Sequence, residues 1–311
     1  MHLLILTLLL ISCDMKPKHV AIAPTHSIED VKQKRDLYIE LAKGRVDESG
    51  WLDFECDALL FNSLAAFSGF PVDPTLARQA DGKWLRHPSK SCYPNGSKSS
   101  ISKDMFNGVM LWSFSSGRQD VLQSIYDYGD ANDWIMGEAV DFATLMSRVA
   151  FAPTMIYRLK TMIDALNPKL TGVLIDATDE GLVILRQNFE AHLHVITILQ
   201  NYLVNKAITD NELAVLKAYT ELEPNNALFH AMYGKFTGDQ SRAIKLLMDE
   251  THFPNDALPT SENHCAHYLW QEGELEYTDH LNEFFEWKPC PKNRTHSGVD
   301  LMFVTKIMEL P

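Results

Sequence analysis

Apolar residues recur at helical spacing along most of the chain, and no segment alternates convincingly as a strand does. Ser27-Ile28-Glu29-Asp30 offers an N-cap with acids in the first turn. Leu37, Ile39, Leu41 and Ala42 supply the apolar side of the helix it opens, and Gly44 ends it. A second helix is predicted over 56–67, where Leu59, Leu60, Leu64 and Phe67 recur, and Gly69-Phe70-Pro71 stops it. A helix opened by Ser100 or Ser102 carries Met105, Val109, Met110 and Trp112. A short one over 118–128 is ended by Gly129-Asp130-Ala131-Asn132. Further helices are predicted over 155–166, 178–207, 225–233, 240–250 and 299–308, and Thr209-Asp210-Asn211-Glu212 opens another with a capping box. The total is about ten to twelve helices, with short strands conceivable only near 172–176. The class is therefore mainly α, a helical bundle with a long irregular loop near residues 80–100. Loops of that length are uncommon and often functional.

The start of the chain breaks this pattern. Leu3 to Ile11 is almost wholly apolar. It is too short to span a bilayer, which takes about 20 residues, and it suits the apolar region of a secretory signal. Leu10-Ile11-Ser12-Cys13 closes it and resembles the lipobox of bacterial lipoproteins: a branched apolar residue, a tolerated position, a small residue, then Cys. The resemblance implies export, cleavage before Cys13 and lipidation of its thiol. Several acyl chains would then hold the protein at a membrane, each buried methylene adding about 0.8 kcal/mol. The segment departs from the usual signal in having only His2, and no Lys or Arg, ahead of the apolar run. A plain signal with an incidental Cys13 is the alternative. Residues 1–12 are thus read as signal, 13–26 as a polar tether with two prolines, and 27–311 as a helical domain that divides, if at all, near 170. The expected address is the bacterial envelope, facing the periplasm. Asp14 after the Cys resembles an inner-membrane retention signal.

An oxidising compartment bears on the other cysteines. Cys56, Cys92, Cys265 and Cys290 are even in number, which suits disulfides. The local pairings, Cys56–Cys92 and Cys265–Cys290, would each stabilise by about 3–4 kcal/mol on the chain-entropy model. The alternative is that all four are small buried hydrophobes. Charge excludes one class of partner. With 28 Lys and Arg against 41 Asp and Glu, the net charge of −13 leaves no basic face for nucleic acid.

Polar information is densest between Asp53 and Glu138. Asp57 and Asp104 each open a helix after a loop, Arg86 lies in the loop between them, and Arg118 begins the next short helix. Trp84 and Trp134 are interleaved with these charges. Carboxylates for acid–base work, Arg for an acidic substituent and aromatic faces for a ring suit a sugar. Over about residues 50–170 the arrangement is loosely similar to the (α/α) toroids of carbohydrate-active enzymes, in which helix pairs ring a central cleft and acids at inner-helix N-termini act on a glycan. The resemblance implies an incomplete toroid with Asp57 and Asp104 as catalytic acids, and with Arg86, Arg118, Trp84 and Trp134 binding substrate. The plainer alternative is that helix dipoles hold the acids, ion pairs the arginines and the core the tryptophans. His264 and His267 share a helix face, but no third ligand completes a metal set, so no metal and no cofactor is expected. Nucleophile-elbow, phosphate-loop and dinucleotide motifs are missing. Two functions follow: a lipid-anchored protein that binds an envelope component, polysaccharide or partner protein, or a glycan hydrolase or lyase.

Overall fold

The computed structural model of the chain describes residues 26–52, 58–89, 101–140, 146–167, 189–260 and 295–311. The protein is mainly helical. In chain order it has α1 (Ile28–Lys43), α2 (Ala58–Phe67), a 3-10 turn (Pro74–Ala77), α3 (Lys103–Ser115), α4 (Gln119–Ala131), β1 (Ile135–Val140), β2 (Met146–Ala150), α5 (Pro153–Ala165), α6 (Phe189–Asn205), α7 (Asp210–Leu222), α8 (Ala227–Thr237), α9 (Ser241–Leu247) and α10 (Val299–Glu309).

Local chemistry sets several of these boundaries. Ser27 caps α1 as a capping box: the Asp30 N–H donates to its hydroxyl at 3.3 Å, and the Asp30 carboxylate accepts from the Ser27 N–H at 2.6 Å. Thr209 and Glu212 repeat the arrangement at α7. Asn226 caps α8 through the N–H groups of Leu228 and Phe229, so that helix starts slightly later than the sequence suggests. The buried stripe of α1 also differs from the expected one. It runs Val31, Lys34, Tyr38 and Ala42, whereas Leu37 is 36% exposed.

Two helices occupy the middle of the molecule. All of α2 except Ala66 is buried, and all of α10 except Lys306 and Glu309. They pack on each other, with Phe67 and Phe303 edge to face at 5.7 Å. Burying each such leucine or phenylalanine contributes about 1.5–3 kcal/mol. Around this pair α1 and α8 cover α10, while α3 covers α2. The α2–α3 crossing is close because Gly108 carries no Cβ: one would lie 3.0 Å from the Leu60 carbonyl oxygen. Beyond α3 lie α4, α5 and α6, and beyond α8 lie α7 and α9. With α2 and α10 packed on each other at the centre, the described helices form a mainly helical body consistent with a bundle or an incomplete toroid.

Two local features depart from the sequence reading. The helix α4 runs through Gly129 to Ala131 instead of ending there. Gly129 is needed inside it, since a Cβ at that position would sit 2.6 Å from the Trp134 ring. The chain then turns back through Asp133 and Trp134, both left-handed at φ 52° and 61°, into the antiparallel hairpin β1–β2. Its register slips between Ile135 and Gly137, which removes the alternation a sequence search looks for.

Candidate functional site

Of the four residues expected to form a cleft, Asp57 lies outside the described residues, and Asp104 and Arg118 stand apart. Asp104 stands half-buried in the first turn of α3. Arg118 precedes α4, beyond the other end of α3. A helix of 13 residues rises about 18 Å between its first and last Cα, so these two side chains serve different ends of the molecule. Arg118 is engaged where it stands: its Nε and Nη2 both donate to the Asp120 carboxylate at 2.8 Å. It also lies 5.7 Å from the centroid of the Trp112 ring. Trp84 is wholly buried in the core, so it offers no face to a ligand. Half-buried Trp134 packs against Tyr126 at 5.1 Å and Phe151 at 6.5 Å. Arg86 is half-buried. Asp57, Cys13, Cys56, Cys92, Cys265, Cys290, His264 and His267 lie outside the described residues.

The loop that carries Arg86 is pinned by its neighbour. His87 is 2% exposed, and its Nε2 meets the Asp47 carboxylate at 2.8 Å while its Nδ1 accepts the Ser89 N–H at 3.1 Å. Acceptance at Nδ1 puts the proton of the neutral ring on Nε2, which donates to Asp47. Both nitrogens are thus committed. Asp47 also takes the N–H groups of Ser49 and Trp51, closing the turn that leads to Leu52. Leu52 is held in turn by buried Asn62 of α2, which accepts its N–H and donates to its carbonyl, each at 2.9 Å. This network fixes loops on the core.

A different polar centre lies in the seam of α3, α5 and α6. Arg158 of α5 is half-buried, and its Nη1 donates to Asn107 Oδ1 at 3.4 Å, Thr197 Oγ1 at 3.3 Å and Gln200 Oε1 at 3.2 Å. Gln200 is fully buried, and its Nε2 donates to the Asn107 carbonyl at 2.8 Å, which turns Oε1 toward the guanidinium. Among the described residues Arg158 has no ion-pair partner. Desolvation without an opposing charge pulls its pKa down to about 10. The sequence reading passed over this residue, but it left a signal. Met155, Leu159 and Met162 form the buried stripe of α5, and Arg158 sits in that stripe three residues after Met155.

A second buried cation lies on α1, near Asp249 and Glu250. Lys34 of α1 is 5% exposed, and its Nζ is enclosed with no hydrogen-bond acceptor among the described residues. Burial lowers its pKa to about 8 against the attraction of Glu250 and Asp249. One turn on, Tyr38 donates to the Pro254 carbonyl at 2.9 Å. Burial raises its pKa, and the Asp300 carboxylate adds to the effect. Asp300, at the start of α10, is itself pushed well up by burial. These groups are sealed, so no ligand reaches them as they stand.

On the surface, Thr75, Arg78, Gln79, Ala80, Gly82 and Ser124 line an open depression of about 400 Å³, which contains no carboxylate. Among the described residues no three His, Cys, Asp or Glu side chains group as metal ligands, and no helix is long and apolar enough to cross a membrane. Comparison with protein-family profiles, with curated proteins and with solved structures finds no match to the chain.

Proposed function

We propose that this chain is a bacterial envelope lipoprotein that binds an envelope component, polysaccharide or partner protein. The observation that carries the reading is Leu10-Ile11-Ser12-Cys13 at the end of an apolar run, ahead of a body whose first capped helix opens at Ser27. Cleavage before Cys13 leaves residues 14–26 as a tether between a lipidated Cys and that helix. The protein then faces the periplasm, with Cys56–Cys92 and Cys265–Cys290 as its disulfides. Binding is favoured over glycan cleavage because cleavage needs two carboxylates about 5–10 Å apart across a cleft. Binding asks for no such pair, and Arg118, one of the residues assigned to that cleft, is already held by Asp120.

Metabolic labelling with a fatty acid tests the anchor. The natural chain should label and sediment with membranes, and Cys13→Ser should do neither. A Cys13→Ser chain that still labels would overturn the reading.

A further inference from the structure

We propose that the Nε–Nη2 edge of Arg158 receives one carboxylate group of a ligand, in the seam between α3, α5 and α6. The inference deepens the reading of this chain as a binding protein and is independent of the lipid anchor.

The first argument is the unbalanced charge. Acidic residues outnumber basic ones 41 to 28, and Arg35 and Arg118 both take partners from this excess. Arg35 pairs with Glu309 at 2.5 Å and with Asp36, and Arg118 pairs with Asp120. Arg158 is set more deeply than Arg118, yet among the described residues it meets only two amides and a hydroxyl. Neutral acceptors hold a guanidinium without cancelling its charge. A centre that only tied three helices together would be better served by a carboxylate at position 107, 197 or 200, because an unpaired buried charge costs several kcal/mol. The described residues supply no compensating anion, which leaves that role to a ligand.

The second argument is geometry. All three acceptors crowd on Nη1, at distances of 3.2 to 3.4 Å. Nε and Nη2 make no hydrogen bond to the described residues, and neither is among the atoms sealed from solvent. Two parallel N–H groups on that edge match the two oxygens of a carboxylate. The fork is also pre-aimed. Gln200 is locked by its bond to the Asn107 carbonyl, and it holds Nη1 together with Thr197 from the same helix. A ligand therefore meets an oriented donor pair and loses little entropy in ordering it.

Charge selects the ligand class. A single guanidinium balances one negative charge. A net charge of −13 on the chain raises the cost of bringing in a dianion such as phosphate at mildly alkaline pH. A monocarboxylate is the better fit, whether a sugar acid or the end of a peptide carries it.

The test uses the full chain in detergent, with its arginines labelled with nitrogen-15. The Arg158 Nε–Hε resonance, assigned with Arg158→Lys, is followed during titration with sodium glucuronate, N-acetylalanine, uncharged glucuronamide and inorganic phosphate. We expect saturable millimolar binding of at least one carboxylate, no response to glucuronamide and a weaker response to phosphate. The two carboxylate arms tell which carrier is preferred. Arg158→Lys keeps the charge but loses the fork and should bind at least about tenfold more weakly. No saturable shift with either carboxylate up to about 100 mM, where ordinary weak sites fill, would overturn the proposal. So would tighter binding of phosphate, or equal binding by Arg158→Lys. If that variant does not fold, the titrations of the natural chain decide alone. A Cys13→Ser chain that still labels would remove the anchor and leave this site standing.

Discussion

Replacing Lys34 with methionine should stabilise the protein. The side chain is 5% exposed, and its ammonium has no acceptor among the described residues. A fall in pKa from 10.5 to about 8 means that folding works against the charge by about 3 kcal/mol at neutral pH, at about 1.36 kcal/mol for each pKa step. That balance already includes the attraction of Glu250 and Asp249, which offsets part of the desolvation. Methionine has nearly the same length and carries no charge, so it should recover about 1–3 kcal/mol after some loss in packing. The assay is urea unfolding, with the midpoint rising at constant slope. The pH dependence identifies the cause. Below pH 8 the lysine is charged both folded and unfolded, so the penalty is complete. Between about 8 and 10.5 the unfolded chain binds more protons at this site, and the natural protein gains stability as pH rises. Lys34→Met has no such contribution, so its advantage should shrink across that window and vanish above it. A variant less stable at pH 7, or an advantage that stays constant from pH 8 to 10.5, would refute the reasoning.

Two further substitutions probe the same end of the molecule. Asp300 keeps its proton well above the usual carboxylate pKa of 3.8, so the natural protein should lose stability as pH rises above about 4, while the unfolded chain ionises first. Asp300→Asn should gain on it as pH rises above about 4 in denaturant melts, and parallel curves would count against a buried, protonated acid. Gly298 has φ +66°, and a Cβ there would lie 2.3 Å from the Tyr38 ring, whereas Gly117 has φ +67° with nothing within 4 Å. Left-handed alanine costs about 1–2 kcal/mol at either position. Gly298→Ala should therefore be clearly the worse of the two in thermal melts, and equal losses would mean that the contact with Tyr38 is soft.

Helices were legible in the sequence because their causes are local. The capping boxes at Ser27 and Thr209, the apolar repeat of α2 and the last helix from Val299 are all written within a turn or two of themselves. What failed depended on residues far along the chain or on close approach. Gly129 reads as a stop, yet it sits inside a helix because the Trp134 ring needs its missing Cβ. The hairpin was invisible because its register slip breaks the alternation.

The candidate site divides in the same way. Sequence alone determined a mainly helical chain with an acidic balance, and it put an arginine in the apolar stripe of α5. Only the tertiary structure decided that Arg158 meets Asn107, Thr197 and Gln200 and, among the described residues, no carboxylate, since those partners come from helices up to 51 residues away. It likewise decided that Asp104 and Arg118 serve opposite ends of α3 and that Trp84 belongs to the core. Periodicity and capping act over a few residues and show in the local text. Convergence of charges depends on how the helices pack, and that is a property of the whole core.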